Sequence, residues 1–132
     1  MITKSGSFGL LVLLLVWGIG AFTRDLPDPK RTPGVANPDV TQDNIHQTIC
    51  VSGWTKTIRP PTKYTNDLKV QQIKEYGYKD KKTSSYEEDH LISLQLGGHP
   101  TDAKNLWPQP YNQQCGARIK DVVETRLKRL VQ

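Results

Sequence analysis

The sequence predicts an α+β domain that closes with a strand–turn–strand–helix unit, and three observations near the end of the chain predict it. Apolar and polar side chains alternate over residues 91–96, and Gly97-Gly98 follows. Residues 105–110 hold two prolines, which allow only a short or edge-like second strand, and an apolar stripe at helical spacing comes last. Alternation favours a strand and paired glycines permit a reversal. We therefore expect a compact ββα unit with a long C-terminal helix, after a small helical and extended half.

The first element is typical of a secretory signal peptide. Lys4 precedes an almost unbroken apolar run over residues 8–19, and small residues follow it. The run is shorter than the roughly 20 apolar residues that span a bilayer comfortably. A cleaved signal over residues 1–21 is therefore favoured over an uncleaved anchor. We expect an exported protein, periplasmic or secreted, without stable membrane association after cleavage.

The next element is predicted to be an extended, proline-rich arm over residues 22–40. Four prolines and Gly34 in this stretch exclude a long helix or a central strand. Residues 41–132 then form the single domain with one modest core that such a length supports.

Two short elements are predicted at the start of the domain. Thr41 can cap a helical turn that runs through His46. Residues 48–58 are rich in β-branched side chains and include Trp54, so they are predicted as a strand or an ordered loop. Arg59-Pro60-Pro61 ends this stretch.

A longer helix follows. Thr65 or Asn66 is predicted to cap it, and Gly77 to end it. Three apolar or aromatic residues are spaced for one buried face, namely Leu68, Ile73 and Tyr76. The lysine-rich stretch after Gly77 is predicted to be a solvated loop.

The last element is a predicted amphipathic helix. Its apolar stripe repeats at intervals of three and four residues and comprises Ile119, Val122, Val123, Leu127, Leu130 and Val131. Lys120, Glu124 and Lys128 lie on the opposite face, where their spacing supports weak ion pairs.

Charge and cysteine content narrow the function only slightly. Lys and Arg outnumber Asp and Glu by 18 to 13, which gives a net charge of +5. This excess suits a polyanionic partner, although many basic proteins bind none. Export makes a disulfide between Cys50 and Cys115 chemically possible, but the spacing leaves open whether the two thiols meet.

The segment that carries the chemistry runs from Asp89-His90 through Gly97-Gly98 to Asn105-Leu106 ahead of the last helix. This arrangement resembles the HNH endonuclease motif, and it is most similar to a group of small exported bacterial HNH-like proteins. Further strings shared with that group lie at residues 32–34, 48–54, 59–61 and 105–110. The resemblance covers nearly the whole chain that follows the predicted signal.

The resemblance implies an HNH-type ββα-metal unit that hydrolyses phosphodiester bonds with a divalent ion. The expected substrate is DNA, with RNA as the alternative. His90 would be the general base, because a neutral imidazole can take a proton from water near neutral pH. Asp89 would be a metal ligand, because a carboxylate suits a hard ion that polarises phosphate. Asn105 would hold the turn and orient His90. Mg²⁺ is the expected ion, with Mn²⁺ and Zn²⁺ as alternatives.

Two features depart from this expectation. Neighbouring residues on a regular strand point to opposite faces, so Asp89 and His90 share a site only if the strand bends or bulges there. The helix histidine that usually completes the HNH metal site is also missing. Asn112 is its nearest predicted replacement, with Asp121 and Glu124 as weaker options. The alternative is a weak or inactive HNH-derived protein.

The partner implied is nucleic acid, bound without sequence preference. Phosphate contacts are predicted for basic residues of the last helix, namely Arg118, Lys120, Arg126 and Lys128, with Lys56 and Arg59 as further candidates. These charges are equally compatible with a solvated helix face. Glu87 and Glu88 are predicted to be a solvated or structural acidic pair.

Two other functions stay open. One is a binding module that holds a metal, a nucleic acid or an envelope partner without cleavage. The other is a structural envelope protein in which Asp89-His90 only stabilises the turn. The sequence leaves the oligomeric state undetermined.

Overall fold

The computed structural model describes residues 26–111 and 115–132. The predicted signal over residues 1–21 and the predicted ligand Asn112 therefore lie outside the described residues. The described part contains three α-helices, α1 (Trp54–Ile58), α2 (Thr62–Glu75) and α3 (Ala117–Val131), and two strands, β1 (Tyr86–His90) and β2 (Leu106–Pro110). Four short 3-10 helices cover Gln42–Gln47, Thr83–Ser85, Leu94–Leu96 and Ala103–Asn105. The chain is thus mixed α and β, as the sequence predicts.

Both helices of the first half differ from what the sequence predicts: α1 in the type of element, and α2 in the residue at which it begins. The stretch predicted as strand or loop turns into α1, because Gly53 adopts φ +82° and lets the chain enter a single helical turn. α2 begins at Thr62 directly after the two prolines, and not at Thr65 or Asn66. Pro61 suits this position since its fixed φ fits a helix start. The helix ends at Glu75, and Gly77 stops it two residues later, where it adopts φ +69° as a C-terminal glycine does.

The first strand, β1, ends at His90, so the strand predicted over residues 91–96 is wrong. β1 pairs with β2 antiparallel, with His90 opposite Leu106 and Tyr86 opposite Pro110. Residues 91–96 instead form a bend and a 3-10 helix. The reason is that both backbone polar groups of Ile92 bond to a side chain, that of Asn105, and are not available to a ladder.

The described part of the proline-rich arm, residues 26–40, has turns at residues 29–31 and 38–39 and no long helix, and it packs along the loop between the strands. Gly34 N–H donates to the Lys104 carbonyl at 3.0 Å, and Asn37 N–H donates to the Gly97 carbonyl at 2.8 Å. The Thr32 hydroxyl is 2.5 Å from the Tyr76 hydroxyl and donates to the Leu106 carbonyl at 3.2 Å. Described arm residues therefore belong to the folded body.

The core lies between α2 and the two strands. Ile73 of α2 is 2% exposed, while Leu106 and Trp107 of β2 are 0% and 1% exposed. The Tyr76 and Trp107 ring centroids are 6.2 Å apart. α2 is thus the helix that covers the sheet, and its predicted buried residue Ile73 is central.

α3 is helical as predicted, but its apolar stripe faces outward. Val122 is 71% and Leu130 77% exposed, whereas an amphipathic helix ordinarily turns such a stripe to a core. The charged face is turned inward instead, because Lys120 bonds to the end of β1 and to Glu124.

Two smaller findings complete the fold. Cys50 and Cys115 are not bridged. Within residues 26–111 and 115–132, no helix combines the length and apolar character needed to cross a membrane.

The contrast between α2 and α3 predicts unequal costs of truncation. Ile73→Ala should lower the free energy of unfolding by about 2–5 kcal/mol, because it leaves a cavity in the core. Val122→Ala should change it by less than about 0.5 kcal/mol, because that side chain is exposed. Urea denaturation measures both. A loss at Val122 as large as that at Ile73 would show that the stripe of α3 is covered in solution.

Candidate functional site

The sheet register shows how Asp89 and His90 are placed. Residues of β1 and β2 pair one to one from Tyr86 to His90, so the bulge expected at Asp89 is absent from this pairing. Consistent with strand geometry, the two side chains have separate partners. Asp89 contacts Lys120 of α3, and His90 contacts the loop at Pro100. The Asp89 carboxylate and the His90 imidazole therefore do not contact a common partner in the structure.

His90 is held in a defined state at the end of β1. The residue is 5% exposed, and its Nε2 lies 2.9 Å from the Pro100 carbonyl oxygen. Since a carbonyl only accepts, Nε2 carries the hydrogen and Nδ1 keeps a lone pair. Burial lowers the pKa of His90, against the raising effect of the Pro100 bond and of Asp89. The ring is therefore neutral at neutral pH, with a basic nitrogen at Nδ1.

Asn105 fixes the chain that follows His90. Its side chain is fully buried. Oδ1 accepts from the N–H of Ile92 at 3.0 Å and of Val35 at 3.4 Å, and Nδ2 donates to the carbonyls of Ile92 at 3.1 Å and His99 at 2.9 Å. Its backbone carbonyl accepts from Leu91 N–H at 2.7 Å. Asn105 thus holds the turn, and it acts on the backbone beside His90 and not on the imidazole itself.

The paired glycines allow this packing. A Cβ at Gly98 would lie 1.7 Å from the Ile92 carbonyl oxygen and 2.9 Å from Asn105 Nδ2. Gly97 adopts φ +86°, where a side chain would be strained. The predicted reversal therefore depends on the absence of both side chains.

Asp89 belongs to a charged cluster with Lys120 and Glu124. Lys120 Nζ donates to Asp89 Oδ2 at 2.7 Å, to the His90 carbonyl at 2.7 Å, and to Glu124 Oε1. The three side chains are only 14%, 20% and 12% exposed, in the order Asp89, Lys120, Glu124. Burial alone would lower the pKa of Lys120, but the two carboxylates outweigh it and raise that pKa. Lys120 is therefore a charged ammonium at physiological pH.

This cluster does not fit a divalent ion as it is arranged. Its oxygens are of the kind that Mg²⁺ prefers, but Lys120 Nζ already lies at hydrogen-bond distance from them. Elsewhere in the described residues, no group of three or more His, Cys, Asp or Glu side chains is placed to hold a metal.

Glu87 and Glu88 are predicted to be a solvated or a structural acidic pair, and the burial of the Glu88 carboxylate fits the structural alternative. Both carboxylate oxygens of Glu88 are buried and have no hydrogen-bond partner among the described residues. Burial raises the pKa of Glu88 to about 8, although Lys69 opposes the shift. Burial and the charge of Asp89 raise the pKa of Glu87 as well. The sequence alone does not decide between the two alternatives, because a Glu-Glu pair gives no local signal of burial.

The other predicted contact residues are spread over the surface. The Arg118 guanidinium carbon lies 5.8 Å from the centre of the Tyr111 ring. Arg126 and Arg129 line a shallow depression on the outer side of α3. Lys128 is half-buried, and Lys56 is exposed. Among these basic residues, Lys120 alone has a described bond to Asp89.

Arg59 was a secondary prediction, and the structure places it nearer to the site than the sequence could indicate. Its positive charge opposes the rise in the pKa of Glu87 and adds to the lowering of the pKa of His90 that burial causes. Arg59 follows α1 directly and is exposed.

Comparison with models of protein families, with curated proteins and with solved structures finds no match for this chain. A function has therefore to follow from the chain's own residues.

The bonds of Asn105 predict a large cost for its removal. Asn105→Ala would leave the Ile92 N–H and two carbonyls without partners in a buried turn, and each such group costs about 1–3 kcal/mol. We expect a loss of at least about 3 kcal/mol in the free energy of unfolding, measured by urea denaturation. Asn66→Ala, at an exposed position of α2, is the matched control. A loss no greater than that of the control would contradict this role.

The raised pKa of Glu88 predicts a pH dependence of stability. From the ordinary value of 4.5 up to about 8, the folded chain keeps a proton that the unfolded chain has released. The free energy of unfolding should therefore fall as pH rises, by roughly 1.4 kcal/mol per pH unit well below pH 8 and by about half of that near pH 8, where the folded carboxyl is itself half ionised. Glu88→Gln should remove this slope. Denaturation between pH 7 and 8 is informative, since His90 contributes mainly at lower pH. Equal slopes for the wild type and the variant would contradict the prediction.

Proposed function

We propose that this chain is an exported HNH-like endonuclease that hydrolyses phosphodiester bonds of DNA or RNA. The observation that carries the proposal is the protonation state and the tautomer of the His90 imidazole. A neutral imidazole donates Nε2–H to the Pro100 carbonyl, so its Nδ1 lone pair is the basic site. It lies at the end of the first strand of a β1–β2–α3 unit whose turn is fixed by a buried asparagine.

His90 would act by taking a proton from the attacking water. Fixing the tautomer through a backbone carbonyl means that no reorientation is needed before the proton is transferred. Lowering the pKa of His90 keeps it unprotonated, which a general base requires. Arg59, whose charge reaches His90, would favour a phosphate beside the ring.

The substrate would reach this site along α3. Arg118, Arg126 and Arg129 are exposed on that helix, and cations so placed bind phosphate without reading bases. The metal dependence predicted from the resemblance is part of the proposal. In the structure the Asp89 carboxylate is bonded to Lys120.

A second function is favoured by one observation. Asp89 and His90 have different partners, and the His90 residue is 5% exposed. A chain with this arrangement can bind nucleic acid through α3 without cleaving it. DNA affinity that falls steeply with salt, together with intact DNA after prolonged incubation, is the result expected for that function.

His90→Ala tests the proposed hydrolysis. We expect purified protein to nick plasmid DNA, or to cleave single-stranded RNA, with Mg²⁺ or Mn²⁺ present. His90→Ala should lower the rate about 100-fold or more, which is the usual contribution of a general base. Chelation of divalent ions with EDTA should abolish cleavage.

The matched control is His46→Ala, which removes an exposed histidine from the 3-10 helix Gln42–Gln47. His46→Ala should cleave at the wild-type rate. Equal rates for the two variants would remove His90 from the mechanism. The absence of cleavage of any substrate by the wild type, with DNA binding retained, would favour the binding function.

A further inference from the structure

The outward face of α3 carries two neighbouring rows of side chains. The basic row repeats at intervals of four, four and three residues and consists of Arg118, Val122, Arg126 and Arg129. The apolar row beside it has the same intervals and consists of Ile119, Val123, Leu127 and Leu130. Residues three and four apart are neighbours on a helix surface, so both rows run along the helix. All of these residues are exposed.

The aliphatic side chains of this face are unusually open to solvent. Val122 and Leu130 are 71% and 77% exposed, and Ile119 is 54% exposed. On α2, the exposed aliphatic side chain is Val70 alone, at 45%. Single exposed apolar residues are ordinary, whereas a contiguous exposed patch marks a surface that meets a protein or a membrane.

The charge of this face is almost entirely positive. Of the two carboxylates of α3, Glu124 is turned inward and bonded to Lys120. Asp121 is exposed and lies beside Arg126 and Arg129 at a shallow depression. The arginines of the basic row therefore outnumber the carboxylates that reach the same face. A partner that fits has to supply both negative charge and an apolar phase.

An anionic lipid surface supplies both. Its phosphate groups attract basic side chains, and the acyl boundary beneath them accepts the apolar side chains of a helix that lies in the plane of the interface. Nucleic acid would contact the arginines but would leave the apolar row in water. A second copy of this chain would cover the apolar row, but it would bring the same arginines together, and like charges repel.

We infer that the outward face of α3 binds the surface of an anionic membrane, with Val122 and Leu130 at the acyl boundary and the arginines of the basic row on lipid phosphates. The helix has about four turns, so the apolar surface that it buries is small, and its binding is peripheral and reversible. The inference goes beyond the proposed function and does not depend on cleavage.

A fluorescent reporter on α3 tests this in the full chain. Val122→Cys is combined with Cys50→Ser and Cys115→Ser, and the new thiol is labelled with nitrobenzoxadiazole. Vesicles of equal parts phosphatidylglycerol and phosphatidylcholine should shift its emission to shorter wavelength, because the label leaves water, whereas vesicles of phosphatidylcholine alone should not. The matched control is the same label at Val70→Cys on α2, which should not respond. The reporter has to be on α3, because the apolar run over residues 8–19 is another source of lipid binding.

Charge variants of the labelled chain test the arginines. Arg126→Gln with Arg129→Gln should require about tenfold more anionic lipid, or more, for half of the emission change, because two cations near the surface are lost. Lys79→Gln with Lys81→Gln removes two exposed charges from the loop after α2 and should respond as the labelled parent does. Added salt should weaken the response of the parent.

The unlabelled variant Val122→Ser with Leu130→Ser separates lipid from nucleic acid. Both positions are exposed, so the variant should keep the melting temperature of the wild type. It should also keep the DNA affinity of the wild type, because phosphate contacts need only the basic side chains. A loss of DNA affinity would overturn the inference and assign the apolar row to nucleic acid.

Three results with the reporters would also overturn it. They are no emission change at residue 122 with anionic vesicles, an equal change at residue 70, and a change at residue 122 that follows protein concentration without lipid. The last result would show that a second copy covers this face. Failure of the nuclease proposal would appear separately, as absence of cleavage while the lipid response is kept.

Discussion

The buried amide of Asn105 is the interaction on which the rest of the site depends. One side chain, fully buried, joins Ile92, His99 and the arm residue Val35. Val35 is far in sequence from the loop that holds Ile92 and His99, and each of the three residues would otherwise leave a backbone group unpaired in the interior, which is costly. Because the loop is held there, Pro100 lies where its carbonyl can accept from His90. The state of the imidazole thus follows from a contact that Asn105 makes elsewhere.

What the sequence could and could not predict follows from the range of the interactions. The helical character of α3, the end of α2 just before Gly77 and the strand β2 are set by local spacing and turn residues, and the sequence predicts them. The alternation over residues 91–96 predicts a strand, but it is overruled by a side chain from residue 105. Local periodicity carries no information on such a bond, since Asn105 could equally have faced solvent.

The same limit explains the charges. Buried positions at Glu88, Asp89, Lys120 and Glu124 are decided by how α3 and α2 meet the sheet. A hydrophobic stripe predicts the inward face of a helix only if no other interaction requires a different face to be buried. Here the carboxylate of Asp89, at the end of β1, is met by Lys120, and the helix turns its charged face inward to bring them together. As a result, the apolar face of α3 is turned to solvent, and Val122 and Leu130 are exposed.

The two halves of the proposed site are therefore held by different parts of the fold. His90 is oriented by the loop between the strands, whereas the carboxylate of Asp89 is held by α3. A shift of α3 would change the charge around Asp89 and would leave the hydrogen bond of His90 to Pro100 in place. The two are still coupled by charge, because Asp89 raises and Lys120 lowers the pKa of His90. Movement of Lys120 away from Asp89 would therefore change the base strength of His90 as well, although the hydrogen bond that fixes its tautomer lies elsewhere.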